Sequence, residues 1–311
     1  MKLNLFFLIF SLFISIPINA FDFNFGMKSI YGVDDRKETN EYQGQLEAIQ
    51  ARSVAVQIKN ERTILVNGSY KILKPESLKA KFKLCANQNF GEQISVGSCT
   101  GFLVAPDIII TAGHCMNTIS DCQNSKWYFD FTDKKTKFKK EDVYSCHKIL
   151  KTEKVKNRSR HIDYSIIKLD RPVKNRVPLE YRESGSIPPL SPVYTIGHPS
   201  GLPQKITGNA RVIDADNDHD KNLDPFLDSA VEKEFFTTTL DTFGGNSGSP
   251  VFNYMTGLVE AVLVSGNEDY QEGFTEDGVE CSKTAHYKDD GHEANERAIR
   301  ITKIPISEYI R

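Results

Sequence analysis

The sequence predicts an all-β protein, a barrel or a sandwich. Two observations lead there. From Ser53 onward, short apolar runs alternate with turn residues, the spacing of many short strands. Helical periodicity is scarce, confined to the ends Ala294–Ile299 and Ser307–Ile310, which read as short helices. At 311 residues the chain can bury one large core or two small ones.

The elements follow in chain order. Met1-Lys2, an apolar run from Leu3 to Ile16, and Pro17-Ile18-Asn19-Ala20 describe a secretory signal peptide over residues 1–20. The run is shorter than the roughly 20 residues of a membrane span. Residues 21–52 are polar, carry few strand signals and read as an N-terminal arm or leader. Ser53–Ile58 alternates apolar and polar positions, and Thr63–Val66 ends at Asn67-Gly68, a hairpin turn signal. Thr100–Val104, Ile108–Thr111, Trp127–Phe131, Val193–Gly197 and Gly257–Val264 continue the strand pattern. No internal repeat or low-complexity linker interrupts it, so residues 53–311 form one domain.

The formal net charge is −2, which marks the chain as neither a nucleic-acid binder nor a binder of anionic membranes. The basic stretch from Lys134 to Arg160 reads as a solvated face between strands. Six cysteines in an exported chain suggest disulfides. No CxxC pair supports zinc. Asp214, Asp216, Asp218 and Asp220 alternate as calcium ligands can, but the run lacks the glycine and distal glutamate of an EF-hand loop. It reads as a solvated loop, and no metal or other cofactor is expected.

Three segments carry chemistry. Thr111-Ala112-Gly113-His114-Cys115 offers a base, Asp163 at the head of Ser165–Leu169 a carboxylate, and Gly244-Gly245-Asn246-Ser247-Gly248-Ser249-Pro250 a nucleophile. A serine hydroxyl is a weak nucleophile at neutral pH. It needs a base within hydrogen-bond reach, and the base needs a partner that fixes its tautomer. Glycines beside the serine let the Gly245 and Ser247 amides face a developing oxyanion. His198, in a turn before Pro199, and His147, beside Cys146, read as structural or surface histidines.

On these motifs the chain resembles secreted serine peptidases of the trypsin/chymotrypsin superfamily, in the order histidine, aspartate, serine. Gly-Asn-Ser-Gly-Ser-Pro-Val-Phe at 245–252, Ile30–Arg36 and Val193–Pro199 are similar to the bacterial branch that includes glutamyl endopeptidases. The resemblance implies two six-stranded antiparallel β-barrels, a short C-terminal helix, and a triad of His114, Asp163 and Ser247 cleaving protein or peptide substrates. It also implies a Cys99–Cys115 bridge. Cys122 with Cys146 would close a local loop, leaving Cys85 with Cys281. Asn246 stands where trypsin carries the aspartate that pairs with a new N-terminus, so that zymogen switch is not expected here.

The family places its specificity pocket at Asp241-Thr242 and Ser265-Gly266-Asn267. Asp241 holds the position of trypsin's basic-residue partner, and Val264 replaces the histidine of glutamyl endopeptidases. Cleavage after arginine or lysine is therefore favoured, with a backbone cap as the competing role of Asp241. Two other readings stay open: a noncatalytic secreted adhesin or matrix-binding protein on the same fold, and an esterase with the same triad. The destination is periplasmic or extracellular, and the oligomeric state is open, with a monomer as the default.

Overall fold

The computed structural model describes residues 30–42, 44–156, 160–213, 234–289 and 293–310. The expected signal peptide and the acidic run from Asp214 to Asp220 lie outside them.

Two barrels of six antiparallel strands make up the fold. In the first, Val143–Lys156, His161–Leu169, Ile108–Thr111, Cys99–Ala105, Val54–Lys59 and Ser125–Phe129 close in that order. In the second, the order is Pro192–Gly197, Pro250–Asn253, Val259–Ser265, Glu296–Arg300, Phe235–Thr238 and Lys205–Ile213. Closure leaves neither barrel with a free edge. Ile108-Ile109-Ile110 shows how the barrels meet. Ile109 packs inside the first barrel with Leu103, Trp127 and Ile167. Ile108 and Ile110 face the other way, in a cluster with Tyr194, Ile206 and Phe252 of the second barrel. Alternation along a strand thus fills a barrel with one face and glues the barrels together with the other.

The Asn67-Gly68 signal is met by a two-residue turn joining Thr63–Val66 to Ser69–Ile72, both turn residues having positive φ (49° and 73°). The arm is less detached than its polarity suggests. Ile30–Tyr31 pairs in parallel with His286–Tyr287, Arg36–Glu38 pairs with the first three residues of Lys205–Ile213, and the helix Gln45–Ala51 buries Ala51 in the inter-barrel core. Strands of two or three residues have no period to read, which is why the sequence hid them.

The C-terminal end needs one correction. Ala294–Ile299 is not a helix: Glu296–Arg300 is a central strand of the second barrel, and its near-continuous burial imitates a helical apolar cluster. The expected short C-terminal helix consists of single 3-10 turns at Ile301–Lys303 and Ile306–Glu308. Likewise much of the basic stretch is strand, with Lys148, Lys151, Lys154 and Lys156 exposed along Val143–Lys156. Cys85–Cys281, Cys99–Cys115 and Cys122–Cys146 are bonded. No helix among the described residues is long and apolar enough to cross a membrane.

Candidate active site

His114 sits in the 3-10 turn Gly113–Cys115, directly after strand Ile108–Thr111. The turn is pinned from below by the Cys99–Cys115 bond. It also presses on Asp163: a Cβ at Gly113 would come within 2.6 Å of Asp163 Oδ1, so only glycine fits. Asp163, buried in strand His161–Leu169, gives both oxygens to one residue. Oδ1 accepts from the His114 backbone N–H at 2.8 Å, and Oδ2 lies 2.7 Å from His114 Nδ1. An ionised carboxylate only accepts, so Nδ1 carries the proton and Nε2 keeps its lone pair.

Ser247 comes from the second barrel, in the loop ahead of strand Pro250–Asn253. The first barrel holds that loop: Thr100 N–H donates to Ser247 O at 2.9 Å, and Thr100 Oγ1 donates to Gly245 O at 2.8 Å. Gly245 has φ +98°, and a Cβ there would meet His198 O at 2.5 Å, so glycine is required on both counts. Among the described residues, no chain acceptor takes the N–H of Gly245 or Ser247.

His114 and Ser247 line one cavity of about 530 Å³, together with Thr242, Ser265, Gly266 and Asn267. Asp241 does not line it. Its carboxylate turns into the protein and accepts the backbone N–H groups of Tyr31 and Asp35, each at 2.8 Å. Burial, against those two bonds, pushes its pKa up to about 7. The expected partner of a basic substrate residue is thus a cap on the N-terminal arm, which corrects the pocket assignment. Two residues that the sequence reading missed take part instead. Glu296 lines the cavity, and Tyr31 stands behind it. Reading Glu296–Arg300 as a strand would have put alternate side chains of that segment inside the barrel and outside it.

His198, His147 and Asn246 do not line the cavity. His198 is buried, its Nδ1 lies 3.0 Å from Leu202 O, and its ring stacks on Phe131. Burial pushes its pKa down to about 3. His147 is exposed on its strand. Asn246 is buried, with its N–H donated to Phe243 O at 2.9 Å. Cys99, His114 and Cys115 bring possible metal ligands within 4.8 Å, but both sulfurs are spent in a disulfide and cannot serve as thiolate ligands.

Residues 99–262 match the family model described as a trypsin-like peptidase domain. A curated relative, an extracellular metalloprotease of Bacillus subtilis (strain 168), is 27% identical over 254 residues, covering 79% of this chain and 71% of the relative. Among solved structures, a Glu endopeptidase in complex with MPD aligns at 17% identity and TM-score 0.44, over 82% of this chain and 93% of that one. An inactive mutant of Rv3671c from M. tuberculosis H37Rv aligns at 13% and 0.42, over 90% and 94%. With the family model spanning more than half of its length, the chain belongs to the trypsin-like peptidases.

Proposed function

We propose that this peptidase is an exported serine endopeptidase with His114, Asp163 and Ser247 as its triad. The observation that carries the reading is the double hold of Asp163 on His114, which lines the same cavity as Ser247. Ser247 Oγ attacks the scissile carbonyl while His114 Nε2 takes its proton. The carbonyl oxygen, now negative, is received by the Gly245 and Ser247 N–H groups. His114 then protonates the leaving amine, and water, activated by the same imidazole, hydrolyses the acyl-enzyme. Asp163 holds the ring and stabilises the imidazolium without itself being protonated. The leader-like N-terminus of the sequence and the disulfides support export, with no membrane or nucleic-acid partner.

The name of the Bacillus subtilis relative raises a metal-dependent reading. The donor set near His114 does not fit it, because the neighbouring sulfurs are bonded to each other. Peptide hydrolysis by the purified protein, with and without EDTA and in Ser247→Ala, separates the two. The serine reading expects indifference to EDTA and loss of all but a residual ~10³-fold acceleration over water in the variant. Activity that EDTA removes and Ser247→Ala keeps would establish the metal reading. A well-folded protein inert on every peptide would leave the noncatalytic binding protein.

A further inference from the structure

The cavity beside Ser247 contains a carboxyl group that the triad does not use. Glu296, 1% exposed, heads strand Glu296–Arg300 and lines the cavity wall. Thr242 Oγ1 donates to its Oε2. The Asn267 N–H donates to Oε1 at 3.0 Å. The Tyr31 hydroxyl lies 3.4 Å from Oε1, and is itself held by Asn267 Nδ2 at 2.8 Å and the Asn295 N–H at 3.1 Å. This cradle is built from three separate parts of the chain: the N-terminal arm, the segment before Ser247, and the strand end after it. Gly266 leaves room for it, since any Cβ there would collide with the Glu296 carboxyl.

The charges around Glu296 are one-sided. Asp241 and Asp269 both act on it as like charges, and Glu268 and Asp269 line the same cavity. Glu293 offers its backbone carbonyl to Tyr31 and Asn267. Among the described residues that line the cavity, His114 alone can carry a positive charge, and no lysine or arginine lines it. The nearby Arg36 is bound by both oxygens of Asp34 and lies over the Phe243 ring. Burial first, then these like charges, holds the Glu296 carboxyl well above the usual carboxylate range, against the pull of its Thr242 and Asn267 bonds. This buried carboxyl has Thr242, Asn267 and Tyr31 on its oxygens and acidic neighbours, and the cavity wall beside it offers no lysine or arginine among the described residues.

We propose that Glu296, positioned by Tyr31, Thr242 and Asn267, is the counter-charge for a lysine or arginine side chain just before the scissile bond. The inference rests on the serine-peptidase reading and names its substrate class. Because the Glu296 carboxyl is held above the usual range, binding is coupled to a proton: the carboxylic acid gives its proton to solvent, and the substrate's ammonium or guanidinium pairs with the carboxylate. It differs from a fixed ion pair in that affinity for the basic residue rises with pH.

The experiment uses benzamidine, a flat cation that needs no turnover. Calorimetry at several pH values, in buffers of different ionisation enthalpy, is expected to show proton release on amidine binding and an affinity that rises with pH. Glu296→Gln should reduce that proton release. It should also lower the ratio of arginyl to glutaminyl amide kcat/KM by about 100-fold. Tyr31→Phe, a gentler change, should raise KM for arginyl amides several-fold and leave leucyl amides untouched. Proton release equal in wild type and Glu296→Gln, an unchanged ratio, or a wild type that prefers glutamyl or glutaminyl amides would overturn the assignment. Should Glu296→Gln not fold, Tyr31→Phe decides: an arginyl KM that does not move overturns it. Amidine binding is read without catalysis, so failure of the serine reading would show separately, as absence of fluorophosphonate labelling in the wild type.

Discussion

Asp241→Ala separates an arm-holding carboxylate from a substrate-binding one. The substitution removes the acceptor of two backbone N–H groups, those of Tyr31 and Asp35, each bonded at 2.8 Å. An orphaned buried donor costs about 1–3 kcal/mol, so the loss is about 2–6 kcal/mol, towards the lower end because Asp35 is only half-buried and water can reach it. The cost depends on pH, and its sign follows from the raised pKa. The folded protein keeps the Asp241 proton up to about pH 7, while the unfolded chain releases it near the ordinary aspartate value of about 4. Asp241's contribution is therefore greatest below that value and declines as pH rises through 7. The loss across that window comes to ~4 kcal/mol. Urea unfolding of wild type and variant at pH 5 and pH 8 is the assay. The variant should be the less stable at pH 5, with the gap closing by pH 8. The ratio of arginyl to leucyl amide turnover should stay within about tenfold of wild type. A ratio that collapses by a hundredfold or more while the unfolding midpoint stays put would refute the argument and return Asp241 to the substrate pocket.

Further outcomes follow from the same geometry. Asp163→Asn keeps an acceptor for one His114 donor but turns an NH₂ towards the other, so the imidazole tautomer inverts. Turnover should fall by about four orders of magnitude with little change in KM for a peptide amide. Replacing Cys99 and Cys115 by serine opens the tie beneath the His114 turn and should cost about 3 kcal/mol in denaturant unfolding, with turnover reduced as well. A stability equal to wild type would show that the Gly113–Asp163 contact suffices to fix the turn. Ala at Gly245 should eliminate most turnover, because the residue needs φ +98° and its Cβ would strike His198 O.

The sequence made the strand-rich core legible because short apolar runs between turn residues, as in Val54–Lys59 and Ile108–Thr111, mark strands buried on both faces. The candidate triad was legible for a different reason: nucleophile, base and carboxylate each sit in a short, chemically distinctive segment. What stayed hidden was whatever depends on contacts between distant segments. Tyr31 and Glu296 are 265 residues apart and meet at the cavity, and nothing local to either residue announces it. Asp241 was misplaced because its position relative to Ser247 suggested a role, while its partners lie in the arm, 210 and 206 residues away. Glu296–Arg300 was misread because a strand buried on both sides loses its alternation and leaves only a short apolar cluster.

The central claim is that Ser247 is an activated nucleophile, and fluorophosphonate labelling followed by intact mass and peptide mapping tests it most directly. The reagent reacts with a serine whose proton a positioned base can take, and an ordinary surface serine is inert to it. One adduct per chain is expected, on Ser247, and none in Ser247→Ala or His114→Ala. A correctly folded protein that takes up no label, or takes it up at another serine, would contradict it.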